Sequence, residues 1–236
     1  PSIFGSGAVE ERGMNRAADS MRGDGRRKRY VVGITGASGA AYAQRVITEL
    51  VRLGHETHVV VTAYGKRLLH DELGLEVITS KAGGGMHVLA GIPEDADPAA
   101  HGIVVHPAKD VGASLGSGSF RHDGMVVIPC SSNTLGAIAS GYGNELLTRA
   151  AAVCLKERFP LVLCHRETPL SRIDIENMLR CTDAGAVIMP TNPGFYLHPQ
   201  SVGEIVDFVA ARALDLLGVE HAVSRRWDPD GARAGA

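Results

Sequence analysis

The sequence predicts one α/β domain with a mainly parallel sheet covered by helices on both faces. Short β-branched runs alternate with stretches whose apolar residues recur at helical spacing, and this alternation is typical of such sheets. The chain has 29 glycines against five Phe, five Tyr and one Trp, which favours many tight strand-to-helix turns. With 236 residues, 44% of them hydrophobic, it can bury one sizeable core.

The predicted elements follow one another closely from residue 30 onward. A strand at 30–35 leads to a helix at 42–53, and a strand at 56–62 leads to a helix through Leu68, Leu69 and Leu73. Residues 82–119 are rich in Gly and Pro, and no element is assigned to them. Then come a strand at 125–129, two successive helices ending near 157, a strand at 161–165, a helix at 173–182, a strand at 186–190 and a helix at 201–217.

Both ends of the chain are expected to lie outside this domain. Residues 1–29 have almost no periodic apolar residues and end in a run of four basic residues, so we expect a leader that is disordered or foreign to the native protein. The leader lacks the apolar core of a secretory signal. The expected domain spans residues 30–227, and residues 228–236 form a tail.

Charge and cysteine usage exclude several classes of protein. The net charge of −2 and pI near 6.6 give no global attraction to nucleic acid or anionic membrane. The longest uncharged stretch, 124–144, contains Pro, Asn, three Ser and several Gly, so we expect no membrane insertion. The four cysteines are far apart without metal-ligand spacing, which predicts a reduced, cytoplasmic protein without a metal site.

Three corners rich in glycine and hydroxyl groups are candidates for binding one ligand. Residues 33–40, GITGASGA, join the first strand to the first helix, residues 117–119, SGS, precede a strand, and residues 130–134, CSSNT, follow that strand. The carboxyl ends of parallel strands line the ligand crevice of open sheets, and free helix N–H groups favour anions. The alternative interpretation is that Ser131, Ser132 and Thr134 only cap a helix.

Charged groups near the same sheet edge suggest a phosphate ligand. Arg149 and Lys156 are seven residues apart on a predicted helix and share roughly one face, while Arg166 and Glu167 end a buried strand where charges need partners. Tyr196 offers a phenol after the strand at 186–190. The alternative is a scatter of solvated charges and a structural tyrosine.

Taken together, four segments resemble the UbiX/Pad1 family of flavin prenyltransferases. They are VVGITGASGAAYAQRV, SGSFRHDGMVVIPCSSNTLGAIASG, NELLTRAAAVCLKERFPLVLCHRETPL and GAVIMPTNPGFYLHPQS, and the resemblance runs from about residue 30 to 227. It implies a flavodoxin-like or Rossmann-like sheet, bound FMN and a homododecamer with active sites between subunits.

The reaction that this resemblance implies is a metal-independent prenyl transfer. A dimethylallyl group passes from dimethylallyl monophosphate to N5 and C6 of reduced FMN, and phosphate leaves. The product, prenylated FMN, serves a UbiD-type decarboxylase.

The resemblance also assigns roles to individual positions. Ser38, Glu72, Lys156 and Glu167 match the family's catalytic residues. The flavin-binding positions are Gly36, Ala37, Ser38, Thr62, Ser131, Thr134 and Arg149. The positions that bind the substrate phosphate are Lys156, Arg166, Tyr196 and Arg212.

Two departures leave other interpretations open. Relatives often carry an aromatic residue shortly before the SGS corner, where this chain has Val111 and Leu115, so the prenyl pocket can differ in shape. Residues 132–134 also resemble FMN-dependent cysteine decarboxylases of the phosphopantothenoylcysteine and lantibiotic type, although the chain lacks their P-x-M-N-x-x-M-W segment. A third possibility is a flavin-binding subunit without catalysis.

Overall fold

In the computed structural model, residues 27–75 and 99–224 are described, and within them six parallel strands form one sheet. The strands are β1 (Arg29–Ile34), β2 (Glu56–Val61), β3 (Ile103–His106), β4 (Gly124–Cys130), β5 (Leu161–His165) and β6 (Val187–Ile188). Their spatial order, β3-β2-β1-β4-β5-β6, reverses direction between β1 and β4. The predicted parallel α/β sheet is confirmed.

Helices cover both faces of this sheet. They are α1 (Ala40–Arg52), α2 (Ala63–Leu73), α3 (Ser132–Ala139), α4 (Leu146–Glu157), α5 (Arg172–Asp183) and α6 (Val202–Leu216). One face packs against α1, α2 and α6 through residues such as Val46, Leu69 and Leu214. The other packs against α3, α4 and α5 through residues such as Leu147 and Cys181. Because both faces are covered, central strands such as β4 are buried along their whole length.

The structure adds one strand that the sequence pattern does not predict. β3 is only four residues long and lies at the edge of the sheet, where Val104 is exposed. A short strand with one covered face lacks the long apolar run that marks the central strands. Residues 76–98, which form much of the Gly- and Pro-rich stretch, lie outside the described residues.

The first strand begins one residue before the strand that the sequence predicts. Arg29 opens β1, and its guanidinium pairs with the Glu56 carboxylate on β2 at 2.8 Å, so this last residue of the basic run belongs to the sheet. The rest of the expected leader up to residue 26 and the expected tail at 228–236 lie outside the described residues. Among the described residues, no helix is long and apolar enough to cross a membrane.

Candidate active site

A cavity of about 290 Å³ lies at the carboxyl edge of the sheet, close to the point where the strand order reverses. Ser38 and Tyr42 line it from the β1–α1 corner, Arg166 and Glu167 from the end of β5, and Thr191 from the segment after β6. Ligands of open α/β sheets bind at this kind of position. Its volume is close to the lower end of the range of roughly 300–1,000 Å³ for small-molecule sites.

Glycines shape the β1–α1 corner because side chains do not fit there. A Cβ atom on Gly36 would lie 2.4 Å from the Cβ of Tyr64, and Gly39 has a φ of 126°. The turn therefore leaves the hydroxyl-bearing Ser38 exposed directly before α1, beside the cavity. Ala37, also predicted to bind flavin, is 5% exposed within this chain.

One threonine joins this corner to the β4–α3 corner. The Thr35 hydroxyl donates to the carbonyl oxygen of Pro129 at 2.8 Å and accepts from the backbone N–H of Ser131, also at 2.8 Å. Two of the three predicted corners are thus held together at the switch point. Sequence patterns single out the glycines and serines of these corners but not Thr35, which is buried and lies 96 residues from Ser131.

Three predicted flavin-binding hydroxyls are engaged at helix N-termini. Ser131 is the N-cap of α3, where its side chain accepts from Thr134 N–H and donates to the Thr134 hydroxyl. Thr62 caps α2 by accepting from Gly65 N–H at 3.1 Å. The capping interpretation therefore describes their contacts within this chain.

Glu72 lies next to the β1–α1 corner, although far from it in sequence. It is exposed in the last turn of α2, and its carboxylate accepts hydrogen bonds from the N–H groups of Gly39 at 3.0 Å and Ala40 at 2.8 Å. An acid at the start of a helix is favourable because the free N–H groups and the helix dipole attract negative charge. Within one chain, the predicted catalytic acid thus stabilises the start of α1.

Arg166 and Glu167 bring both signs of charge to the cavity. The Arg166 backbone donates to the Cys130 carbonyl at 3.1 Å, which fixes this segment against the end of β4. Its side-chain Nε is buried and has no hydrogen-bond partner among the described residues. Glu167 is exposed, and its carboxylate accepts from Thr168 N–H at 3.0 Å. A buried donor without a partner costs free energy unless a ligand supplies the acceptor.

Tyr42 is a cavity residue that no sequence pattern singles out. Burial raises the pKa of its phenol, the nearby Glu72 carboxylate raises it further, and Arg166 acts in the opposite direction. The phenol therefore stays protonated at neutral pH and can donate a hydrogen bond in the cavity. A tyrosine at helical spacing inside α1 carries no signal that separates it from a packing residue.

Lys156 does not reach this cavity within one chain. It lies in the last turn of α4, shortly before β5 begins at Leu161, whereas the cavity lies beyond the other end of β5. Five strand residues separate the two levels by about 16 Å. Lys156 instead pairs with Glu157 at 2.7 Å. A Cβ atom on Gly118 would contact the side chains of both residues. The predicted SGS corner therefore lies beside Lys156, at the amino edge of the sheet.

Three further predicted residues also lie outside the cavity lining. Arg149 is exposed on α4 and donates to the Gly116 carbonyl at 3.2 Å. Tyr196 is 56% exposed, with its ring packed against Phe208. Arg212 is exposed on α6 and pairs with Asp215 at 2.9 Å. The order of these residues in the sequence does not show that positions matching a single site lie far apart within one folded chain.

Val111 and Leu115, the positions where relatives often carry an aromatic residue, lie in different surroundings. Leu115 is 2% exposed and packs into the core with α4, whereas Val111 is 45% exposed. Neither lines the cavity described above.

Comparison with known proteins identifies relatives over nearly the whole domain. The model of the Flavoprotein family matches residues 19–214. The chain is 43% identical over 204 residues to a flavin prenyltransferase UbiX of Deinococcus radiodurans, covering 86% of this chain and 95% of that protein. It is 41% identical over 199 residues to a flavin prenyltransferase UbiX of Halalkalibacterium halodurans, covering 84% and 92%.

Solved structures agree with these relatives. AnUbiX (PadA1), solved in complex with FMN and dimethylallyl pyrophosphate, is 40% identical with a TM-score of 0.75, covering 86% of this chain and 98% of that one. The dodecameric FMN-dependent UbiX-like decarboxylase of Escherichia coli O157:H7 is 39% identical with a TM-score of 0.74, covering 85% and 99%.

The cysteine decarboxylases are more distant. TvaF, an FMN-dependent cysteine decarboxylase, is 14% identical with a TM-score of 0.53, a likeness that extends to the fold alone. The much higher identity to the UbiX proteins extends over most of this chain and nearly the whole length of those proteins. The chain therefore belongs to the Flavoprotein family and, within it, to the UbiX flavin prenyltransferases.

Proposed function

We propose that this protein is a flavin prenyltransferase that moves a dimethylallyl group from dimethylallyl monophosphate to N5 and C6 of reduced FMN. The transfer breaks the carbon–oxygen bond to phosphate and forms one bond at each flavin position, so the flavin gains C5H8 and phosphate is released. Family membership gives the reaction class. The single structural observation that carries the proposal is the buried Nε of Arg166 in the wall of the cavity, which has no hydrogen-bond partner in the part of the chain that the structure describes.

The residues around the cavity fit a flavin with a neighbouring phosphate ester. Arg166 offers a fixed positive charge and a buried donor, and Ser38 offers an exposed hydroxyl at the β1–α1 corner. Tyr42 adds a protonated phenol. When bound, reduced FMN supplies the nucleophilic N5 and C6 positions.

Each charged residue then has a defined task. Arg166 stabilises the negative charge that develops on phosphate as its bond to the prenyl carbon breaks, with each charged hydrogen bond contributing about 1.5–3 kcal/mol. Glu167 is the exposed carboxylate beside it and takes up or passes on the proton released by the acceptor. Ser38 orients the acceptor through its hydroxyl.

A complete site requires more than one copy of the chain. Lys156, Tyr196 and Arg212 match phosphate-binding positions yet lie away from the cavity, on exposed parts of α4, of the segment after β6 and of α6. We therefore propose a homo-oligomer, with twelve copies as in the Escherichia coli structural relative, in which neighbouring subunits supply these groups. The prenylated flavin then passes to a UbiD-type decarboxylase.

The test is anaerobic incubation of the purified protein with reduced FMN and dimethylallyl monophosphate, followed by mass spectrometry of the extracted flavin. We expect a gain of one C5H8 unit and release of one phosphate per flavin. A parallel reaction with the pyrophosphate separates the two donors, because AnUbiX was solved with dimethylallyl pyrophosphate.

Two outcomes would overturn the proposal. Binding of FMN without formation of any prenylated product would indicate a flavin-binding subunit without catalysis. Release of carbon dioxide from a peptide carrying a C-terminal cysteine, with no dependence on a prenyl donor, would indicate a cysteine decarboxylase.

Chelator in the assay tests metal independence, and loss of turnover restored by magnesium would contradict it.

A further inference from the structure

A buried histidine at the cavity has no role in the function proposed above. His165 ends β5, is 2% exposed and directly precedes Arg166. Its Nε2 lies 3.2 Å from the Oγ of Ser132, which opens α3. Since His165 and Cys130 are register partners on β5 and β4, this hydrogen bond links the end of β5 to the corner that follows β4.

A buried carboxylate lies on the other side of Ser132. Asp174, in the first turn of α5, accepts hydrogen bonds from the backbone N–H of Ser171 at 2.9 Å and from its hydroxyl at 2.6 Å. Side-chain hydrogen bonds from Ser171 and Ser132 lower the pKa of Asp174 to about 2. Asp174 is therefore ionised at neutral pH and can only accept hydrogen bonds.

This order of donors and acceptors determines which ring nitrogen of His165 carries the proton. A serine hydroxyl has one hydrogen, and the Ser132 hydroxyl is one of the two side-chain hydrogen-bond partners that lower the pKa of Asp174. With that hydrogen directed at the carboxylate, the Ser132 oxygen is the acceptor toward the ring, an assignment in which Nε2 of His165 carries the proton. The resulting chain runs from His165 through Ser132 to Asp174.

The surroundings of the ring favour its neutral form. Burial lowers the pKa of His165, the carboxylates of Asp174 and Glu167 raise it, and the Arg166 guanidinium lowers it, with a net shift below 6.5. The thiols of Cys130 and Cys181 pack on the same face of the sheet and stay uncharged, because burial raises the pKa of each. The ring therefore adds no charge beside Arg166 at neutral pH.

We propose that His165 is a positioning residue for prenyl transfer: Ser132 and Asp174 hold its ring in place, and the uncharged ring keeps the adjoining Arg166 and Glu167 directed toward the substrate. This inference rests on the proposed function. A positive charge on the ring would repel the neighbouring Arg166 guanidinium and displace it from its buried position. The hydrogen-bonded ring thus acts on the substrate through Arg166 and Glu167.

The experiment compares His165→Gln, His165→Ala and Ser132→Ala with wild type from about pH 5 to about pH 8, the range in which histidine titrates. kcat and KM for dimethylallyl monophosphate are measured together with FMN affinity. His101→Gln is the control, since His101 is exposed and lies just before β3, at the opposite edge of the sheet.

We expect His165→Ala to lower kcat/KM by roughly 10- to 100-fold at neutral pH, the scale of a small misplacement of reacting groups. Wild-type kcat/KM and FMN affinity should fall toward the acid end of this range, as the ring gains a proton. His165→Gln should recover most of the neutral activity and lose this acid limb, because its amide N–H replaces Nε2–H without titrating. Ser132→Ala should cause a loss that is not additive with His165→Ala.

Two results would overturn the positioning role: wild-type kcat/KM in His165→Ala, or an unchanged acid limb in His165→Gln. A purely structural histidine would lower the melting temperature without altering the pH profile. If the wild-type protein forms no prenylated flavin, the proposed function fails separately. The role of His165 is then decided by FMN affinity, whose acid limb must disappear in His165→Gln and persist in His101→Gln.

Discussion

Replacing Arg166 by Met should separate stability from function. In the free protein, the Nε donor of Arg166 is buried and has no partner among the described residues. An unsatisfied buried donor costs about 1–3 kcal/mol, so its removal should raise the free energy of unfolding or leave it unchanged. For a domain of this size, each kcal/mol corresponds to a rise in melting temperature of about 2–4 °C. The backbone hydrogen bond from residue 166 to Cys130 remains in the variant.

The same substitution should greatly reduce prenyl transfer. If Arg166 donates two charged hydrogen bonds to phosphate, at about 1.5–3 kcal/mol each, the loss is about 3–6 kcal/mol. At 1.4 kcal/mol per factor of ten, kcat/KM should fall by about 10²- to 10⁴-fold.

Three measurements test this pair of effects: thermal unfolding without ligand, flavin absorbance in a single turnover, and phosphate release. Arg67→Met is the matched control, because Arg67 pairs with Asp71 on the exposed side of α2, where ion pairs contribute little. An Arg166→Met protein that melts earlier than wild type and keeps its turnover would refute the reasoning, since Arg166 would then be a structural residue.

Three further predictions follow from the site and its surroundings. Glu167→Gln should bind FMN normally but slow single-turnover prenyl transfer by about 10²- to 10⁴-fold, the usual scale for acid–base groups. An unchanged rate would show that Glu167 takes no part in proton transfer. Gly36→Ala should lower the free energy of unfolding in urea by about 1–3 kcal/mol and weaken FMN binding, because the new methyl group would clash with Tyr64. Gly203→Ala serves as the control, since the nearest atom to its methyl group would be 3.6 Å away. Burial and the adjacent His58 lower the pKa of His106 to about 4. The neutral ring therefore contributes to the stability of the folded protein fully above about pH 6.5, and this contribution is lost as the pH falls toward 4. Melting temperatures of His106→Gln across this range should therefore depend less on pH than those of wild type, and equal slopes would contradict this assignment.

Much of the fold is readable from the sequence because its central strands and helices repeat a strong local pattern. β4 is an unbroken apolar run, β5 is apolar up to His165, and α1 keeps its apolar residues on one face. β3 has no such pattern, because four residues at an exposed edge are stabilised by pairing with β2 rather than by their own burial. Its existence depends on a neighbour distant in sequence.

The site could be predicted only in part for a related reason. Ser38, Arg166 and Glu167 lie within four residues of the ends of strands that finish at the same edge, so their meeting follows from topology. Lys156 lies on the segment that returns to the opposite edge, and its separation from the cavity follows from the direction of α4 rather than from any motif. The hydrogen bond between His165 and Ser132 joins residues 33 positions apart, which no spacing rule detects.

The hydroxyl of Thr35 places a constraint on how this protein can diverge. A single oxygen accepts from Ser131 and donates to Pro129, so the β1–α1 and β4–α3 loops share one buried anchor. Insertions or substitutions that move either loop by more than a fraction of an ångström break contacts in the other as well. Directed evolution toward other prenyl donors should thus keep residue 35 fixed and vary the cavity from the segment after β6, where Thr191 lines it.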